Sequence, residues 1–344
     1  MRIGVLTGGG DCPGLNPAIR GFVLKALDYG YECLGFLNGW KGLVEGVSRP
    51  LVRSDVEDII AMGGTMLGSS RTNPFKPGRE SDRESVLANI KKFKLDAVVA
   101  VGGEDTLGVA AKLFKLGVNT VGVPKTMDND LDYTDFTFGF DSAVSVATES
   151  VDRLRDTARS HNRVMVVEVM GRHAGWVALY SGIAGGADWI LLPEIPLDLD
   201  EMCRHLMAVR QRGKMYSIVV ASEGTEIPNP EDAPSALDAF GHVILSERGV
   251  GEYIAKEIEQ RTGIETRFAV LGHIQRGGSP TEFDRVLASR LGIKAAELVH
   301  AGDFGKMASI QNNIIVAVEL EKAVARLKTV PRELYEEVKV LFSR

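Results

Sequence analysis

The chain has 344 residues, 44% hydrophobic and 25% charged, with 40 basic against 46 acidic side chains and a formal charge of −6. This composition excludes intrinsic disorder, and the 38 glycines follow no Gly-X-Y period; the acidic balance, without a run of five like charges, gives nucleic acid no broad electrostatic footing. The length suits roughly two domains.

Cys12, Cys33 and Cys203 are too few and too scattered for a disulfide framework or a zinc cluster. No apolar run reaches the roughly 18 residues that a spanning helix needs, and the chain opens on a strand-like run with no signal-peptide cleavage region. The expectation is a cytoplasmic protein with reduced thiols and no nucleic-acid or membrane partner.

In chain order, Arg2–Leu6 reads as a strand and leads through a Gly-rich loop into a helix. Leu15, Ile19, Phe22, Val23, Ala26 and Leu27 form that helix's apolar stripe, and Pro17 suits its first turn. Ser54–Glu57 has the spacing of a capping box opening a helix through Ile59, Ile60 and Met62. A helix at Arg83–Phe93, a buried strand at Ala97–Val101, a helix at Leu107–Leu116 and a strand at Thr120–Val123 follow.

A long helix over Ser142–Ala158 then precedes strands at Val164–Val169, Trp189–Leu192, Ser217–Ala221 and Phe268–Leu271. Helices are expected near Leu199–Arg210, Val250–Arg261 and Glu282–His300, and the polar stretch Asn229–Gly241 reads as a loop. Continuous apolar strands alternating with helices predict an α/β protein whose mainly parallel sheets are covered on both faces.

Polar motifs recur directly after these strands, where ligands bind in open α/β sheets. They are Thr7–Asp11 (Thr-Gly-Gly-Gly-Asp), Gly102–Thr106 (Gly-Gly-Glu-Asp-Thr), Pro124–Asp130 (Pro-Lys-Thr-Met-Asp-Asn-Asp), Met170–Arg172, Ser222–Gly224 and Gly272–Gly278. The first is either a plain tight turn or a loop for an anion at a helix N-terminus; it has neither the Gly-Lys-Ser/Thr of a Walker loop nor dinucleotide spacing.

Glu104 and Asp105 read as an acidic helix cap, or as carboxylates that meet phosphate through a bridging Mg²⁺. Lys125, Asp128 and Asp130 form either a self-capped turn or a set in which lysine balances phosphate and a carboxylate takes a proton. Arg71, Arg163, Arg172, Arg267 and Arg276 stand at turns, and arginine suits bidentate phosphate recognition. His173 and His273 lie in these loops without metal-ligand spacing.

Together these segments resemble the phosphofructokinase family from Met1 to about Tyr335, and more narrowly its short bacterial members, which include pyrophosphate and ATP users. The resemblance implies two Rossmann-like three-layer domains with the active site in the cleft between them. Residues 1–138 with a returning segment of about 250–305 would bind the phosphoryl donor and Mg²⁺; 139–249 with about 306–344 would bind fructose 6-phosphate.

It also implies roles. Gly10, Arg71 and Thr106 would meet the donor, with Glu104 on Mg²⁺. Asp128 would activate the sugar 1-hydroxyl, with Asp105 and Lys125 beside it. Thr126, Asp130, Met170, Gly171, Arg172, Glu223, His273 and Arg276 would hold fructose 6-phosphate. Arg163 and Arg267 would reach across to a second subunit of a homodimer or homotetramer.

ATP-using relatives generally have Gly at the position of Asp105 and often at that of Lys125. A carboxylate at 105 repels the α-phosphate of a nucleotide, and a cation at 125 meets the leaving phosphate, so pyrophosphate is the expected donor. The allosteric ATP enzymes carry an arginine where this chain has Leu24, four residues after Arg20, which predicts a weak effector response. The alternatives are an ATP-dependent phosphofructokinase, a dinucleotide-dependent oxidoreductase, and an inactive sugar-phosphate sensor.

Overall fold

The structure is a computed structural model and describes residues 1–228 and 248–342, so the expected loop at 229–241 lies outside the described residues. The first sheet is built on β1 (Arg2–Thr7), β2 (Glu32–Phe36), β3 (Ser48–Leu51), β4 (Ala97–Gly102) and β5 (Thr120–Pro124). It is completed from far along the chain by β10 (Lys306–Gln311) and β11 (Ile314–Glu319), in the order β11-β10-β5-β4-β1-β2-β3. Among the described residues only the edge strands β3 and β11 run antiparallel to their neighbours.

The strand order reverses between β1 and β4, paired parallel from Ile3–Ala97 to Thr7–Val101. A doubly wound sheet leaves a crevice at such a reversal. The loops after these two strands, Gly8–Asp11 and the one at Gly103, therefore flank a ready-made opening. Helix α1 (Leu15–Asp28) follows the first loop and α5 (Glu104–Lys115) the second.

The second sheet has the order β7-β8-β6-β9, all parallel, from β6 (Val164–Val169), β7 (Trp189–Leu191), β8 (Ser217–Ser222) and β9 (Thr266–Val270). Its faces are covered by α6 (Phe140–His161) and α7 (Trp176–Ala184) on one side and by α8 (Leu199–Gln211) and α9 (Val250–Thr262) on the other. Val164, Val166, Val167 and Val169 are all buried. This is the double-sided burial that a continuous valine run predicts.

One face of the first sheet packs on α1 and on α10 (Glu282–Ala301) through Ile3, Val5, Ile19, Phe22, Leu287 and Leu291. Two glycines let these helices touch backbone to backbone: a Cβ at Gly21 would stand 2.3 Å from Ser289 O, and one at Gly292 2.2 Å from Ala18 O. Glycine inside a helix costs about 1 kcal/mol relative to alanine, and here the close approach is what it allows.

Sheet membership corrects the expected division of the chain. β9 and α9 belong with the second sheet, β10 and β11 with the first, and only from Val330 onward does the tail rejoin the second core with Tyr335 and Phe342. The reason is strand pairing, Met307 with Gly122 and Arg267 with Met165, which periodicity does not encode.

The capping box also shifts. Asp55 accepts from Val52 N at 2.8 Å, so the helix is only Arg53–Val56 and Ile59 and Ile60 fall beyond it. β2, β3, β10, β11 and α7 are additional to the elements expected from the sequence. The remaining expected elements are present with ends moved by up to about three residues, as helix termini commonly are.

Candidate active site

Three loops at the carboxyl ends of β1, β4 and β5 meet Arg71, Arg172 and Arg276 around a small cleft. Gly9, Gly10, Asp11, Gly103, Glu104, Asp105, Thr106, Lys125, Thr126, Met127, Asp128 and Asp130 complete the lining. Gly10 is tight for a physical reason: a Cβ there would come 3.0 Å from Arg276 Nη1. Lys125 is buried beneath the same loop and donates from Nζ to Gly10 O. Thr106 packs where side chains at Gly8 or Gly102 would collide with it.

The β5 loop is held by its own polar atoms. Asp128 N donates to Thr126 Oγ1 at 3.1 Å, Thr137 Oγ1 donates to Thr126 O at 2.6 Å, and Thr137 N donates to Asn129 Oδ1 at 3.1 Å. Asn129 takes a left-handed φ of 52°, which asparagine tolerates, and so separates two buried aspartates. Asp128 Oδ1 and Asp130 Oδ1 are buried and accept no hydrogen bond.

Charge is concentrated in little solvent. Burial, reinforced by the Asp128 charge, raises the Asp130 carboxyl well above its ordinary range. Burial lowers the Lys125 ammonium, while neighbouring Asp128 and Asp11 oppose that shift. Burial first and Asp128 second raise Glu223. Carboxylates, one lysine and three arginines around one small space suit a polyanion whose charge shifts during reaction.

Glu223, expected to touch sugar phosphate, braces the neighbouring loop. Its Oε1 accepts from Gly171 N at 3.3 Å and Arg172 N at 3.2 Å, holding Arg172 at a left-handed φ of 51°. Met170 is buried in the first core. His273 is exposed in the short helix that ends at Arg276, and neither it nor Met170, Gly171 or Glu223 lines the cleft itself.

Arg163 and Arg267 lie elsewhere. They stand at the amino ends of β6 and β9, paired with Glu265 at 3.4 and 2.8 Å, while Arg172 follows the carboxyl end of β6. At about 3.3 Å per residue the strand keeps the two ends roughly 20 Å apart. The chain's own cleft therefore does not receive these two arginines.

Asp11 and Met127 line the cleft and were not singled out as side chains in the sequence, although both lie inside motifs that were. Glu104 and Asp105 also border a second, open pocket, lined besides by Asn73, Gly108, Lys112 and Lys115. Among the described residues no group of three or more His, Cys, Asp or Glu makes a protein-only metal site, and no helix is long and apolar enough to cross a membrane. The three cysteines are free and buried.

Residues 2–299 match the family model described as Phosphofructokinase. The chain belongs to the phosphofructokinase family. A pyrophosphate–fructose 6-phosphate 1-phosphotransferase of Dictyoglomus thermophilum is 52% identical over 100% of this chain and 99% of its own length. An ATP-dependent 6-phosphofructokinase 2 of Streptomyces coelicolor is 48% identical over 99% of this chain and 100% of its own. Among solved structures, Pichia pastoris phosphofructokinase in the T-state superposes with a TM-score of 0.82 at 32% identity, over 94% of this chain and 35% of that longer chain. This phosphofructokinase chain thus resembles users of two different donors, and its own residues have to decide between them.

Proposed function

We propose that the chain transfers a phosphoryl group from pyrophosphate to the 1-hydroxyl of fructose 6-phosphate in the cytoplasm, forming fructose 1,6-bisphosphate and phosphate. The observation that carries this reading is the buried, unbonded Asp128 Oδ1 in a cleft shared with Lys125, Arg71, Arg172 and Arg276. The new bond joins the sugar 1-oxygen to phosphorus, the bridging P–O bond breaks, and the hydroxyl proton goes to Asp128. Pyrophosphate and the product ester are of similar energy, so the reaction runs readily in both directions.

Gly10, Arg71, Thr106 and Lys125 face the donor. Thr126, Asp130, Arg172 and Arg276 face the sugar phosphate, with Met170, Gly171, Glu223 and His273 supporting that side. Glu104 suits Mg²⁺, because that ion binds through one or two carboxylates plus substrate phosphates, and the cleft offers carboxylates without a closed cage. When bound, Mg²⁺ would supply neutralisation of donor phosphate charge.

Arg163 and Arg267 complete the site of a second copy. They share an edge with Phe268, Val270 and Ile274, apolar side chains 45%, 54% and 60% exposed on or just beyond β9, the edge strand that among the described residues pairs with β6 alone. A homodimer or homotetramer covers that edge and brings the arginines to a neighbour's cleft.

The second reading, ATP as donor, is favoured by the open pocket that Asp105 also borders, a place for a nucleoside next to the cleft. Asp105 at its mouth and Lys125 against the glycine loop favour pyrophosphate. Initial rates with each donor at matched Mg²⁺ decide. Brisk turnover with ATP and none with pyrophosphate overturns the donor assignment, and turnover with neither overturns the proposed reaction.

A further inference from the structure

Residues 325–331 form the last passage between the two sheets, and they run beside the loop that carries Asp128 and Asp130. Leu327 bridges Leu131 in antiparallel fashion, and Lys328 N donates to Asp130 O at 2.8 Å. The Lys328 ammonium then uses all three protons on that loop: Asn129 Oδ1 at 3.0 Å, Thr134 O at 2.9 Å and Asp135 O at 3.0 Å. These acceptors flank Asp130 on both sides, and Asn129 is the left-handed residue between the two aspartates.

The same few residues grip the opposite wall. Trp176 Nε1 donates to Lys328 O at 2.9 Å, and the ammonium lies 5.5 Å from the Trp176 ring centre. Val330 N donates to Glu194 Oε1 at 2.8 Å; that oxygen also accepts from Gly175 N at 2.9 Å, at the start of α7 and three residues after Arg172. One short strap is thus bonded directly to the loop of Asp128 and, through Glu194 and Trp176, to the end of the loop of Arg172. Burial holds the Lys328 ammonium down at about 8 against the pull of Asp130, Asp135 and Asp132, which offset only part of the desolvation cost.

We propose that Lys328 is a positioning residue for phosphoryl transfer: through Asn129 and the carbonyls of Thr134 and Asp135 it fixes the place of Asp128 relative to Arg172 across the cleft. The kinetic part rests on the phosphotransferase reading above. A residue with this role alters turnover more than affinity, since each wall retains its own binding groups.

The test compares wild type, Lys328→Met, and Lys328→Cys before and after alkylation with bromoethylamine, which restores an ammonium at nearly the native length. The native cysteines are buried and so protected. Lys328→Met and unmodified Lys328→Cys are expected to lose about ten- to a hundredfold in kcat per folded subunit, the size of effect that a displacement of about 1 Å produces. Both KM values stay within about threefold, and alkylation recovers most of the loss.

A lower melting temperature with unchanged kcat, a loss confined to KM, or no recovery on alkylation overturns the proposal. Should the Lys328 variants not fold, Trp176→Phe removes the bond to the Lys328 carbonyl while keeping an aromatic ring near the ammonium. It is expected to lower kcat about three- to tenfold at constant KM, and an unchanged kcat is then the refuting result.

If wild type turns over neither donor, the reaction reading fails separately and hydrogen exchange tests the strap directly. Lys328→Met, or Trp176→Phe in its place, should deprotect amides in 126–137 and 171–176 together. Unchanged protection in either segment overturns the coupling.

Discussion

Replacing Asp105 by glycine is the sharpest perturbation of donor choice. Asp105 occupies the second position of α5 and lines both the cleft and the adjoining pocket. A nucleotide filling both would bring an additional phosphate past this carboxylate. Two unit charges about 6 Å apart at an effective dielectric of about 20 repel by about 3 kcal/mol, roughly a hundredfold in kcat/KM. The opposing cost is small: glycine in the first turn and the loss of an acid from a helix N-terminus together take about 1 kcal/mol from stability. Asp105→Gly is therefore expected to stay folded, to gain about two orders of magnitude in kcat/KM with ATP, and to lose efficiency with pyrophosphate. Initial rates for each donor, followed by a coupled assay for fructose 1,6-bisphosphate, measure both. No rise with ATP and no fall with pyrophosphate would refute the electrostatic argument.

Asp128→Ser should lower turnover by about two to four orders of magnitude while fructose 6-phosphate affinity by calorimetry changes only a few-fold; near-normal turnover removes Asp128 from the role of base. Asp284, buried in α10 and accepting from Ser142 N at 2.8 Å and Ser142 Oγ at 2.7 Å, has its carboxyl pushed up to about 6, chiefly by burial. A raised carboxyl means the folded state binds the proton more tightly, so this group's contribution to stability falls as pH rises from about 4 to about 6 and is level above that. Asp284→Asn keeps the acceptor without the charge and should gain on the order of 2–3 kcal/mol over wild type between those pH values. Equal pH slopes in urea unfolding would contradict this. Leu24 packs against the first core four residues after Arg20, so nucleoside diphosphates and phosphoenolpyruvate are expected to leave the fructose 6-phosphate half-saturation point unmoved; a clear shift in saturation curves counts against that expectation.

Much of the site was legible because its chemistry is local in sequence. Gly10, Glu104, Asp105, Thr106, Lys125, Asp128 and Asp130 lie in three short loops after apolar strands, and those strands converge at one crevice. The parallel strands β4, β5, β6 and β8 are plain for the same reason: both faces are buried, so their sequences are apolar apart from Thr120, Glu168, Ser217 and Ser222. Partners distant in the chain were not legible. Ile314–Val318 is an apolar run, but at the sheet edge it is only partly buried, so its sequence does not reveal its place, and nothing in Lys306–Gln311 announces pairing with β5. Glu223 read as a ligand group because its motif did, yet its hydrogen bonds to Gly171 and Arg172 make it a brace. Lys328 sits in no motif, and its acceptors lie almost two hundred residues earlier, at |i−j| values of 199, 194 and 193.

The late arrival of β10 bears on synthesis as well as on shape. During translation β5 emerges with one edge bare, and the strand that covers it begins only at Lys306. At about 5–20 residues per second that edge waits roughly 10–40 s for its partner, a long exposure for unpaired backbone groups on a growing chain. Nascent copies are thus most open to mispairing with one another while the second sheet is being made.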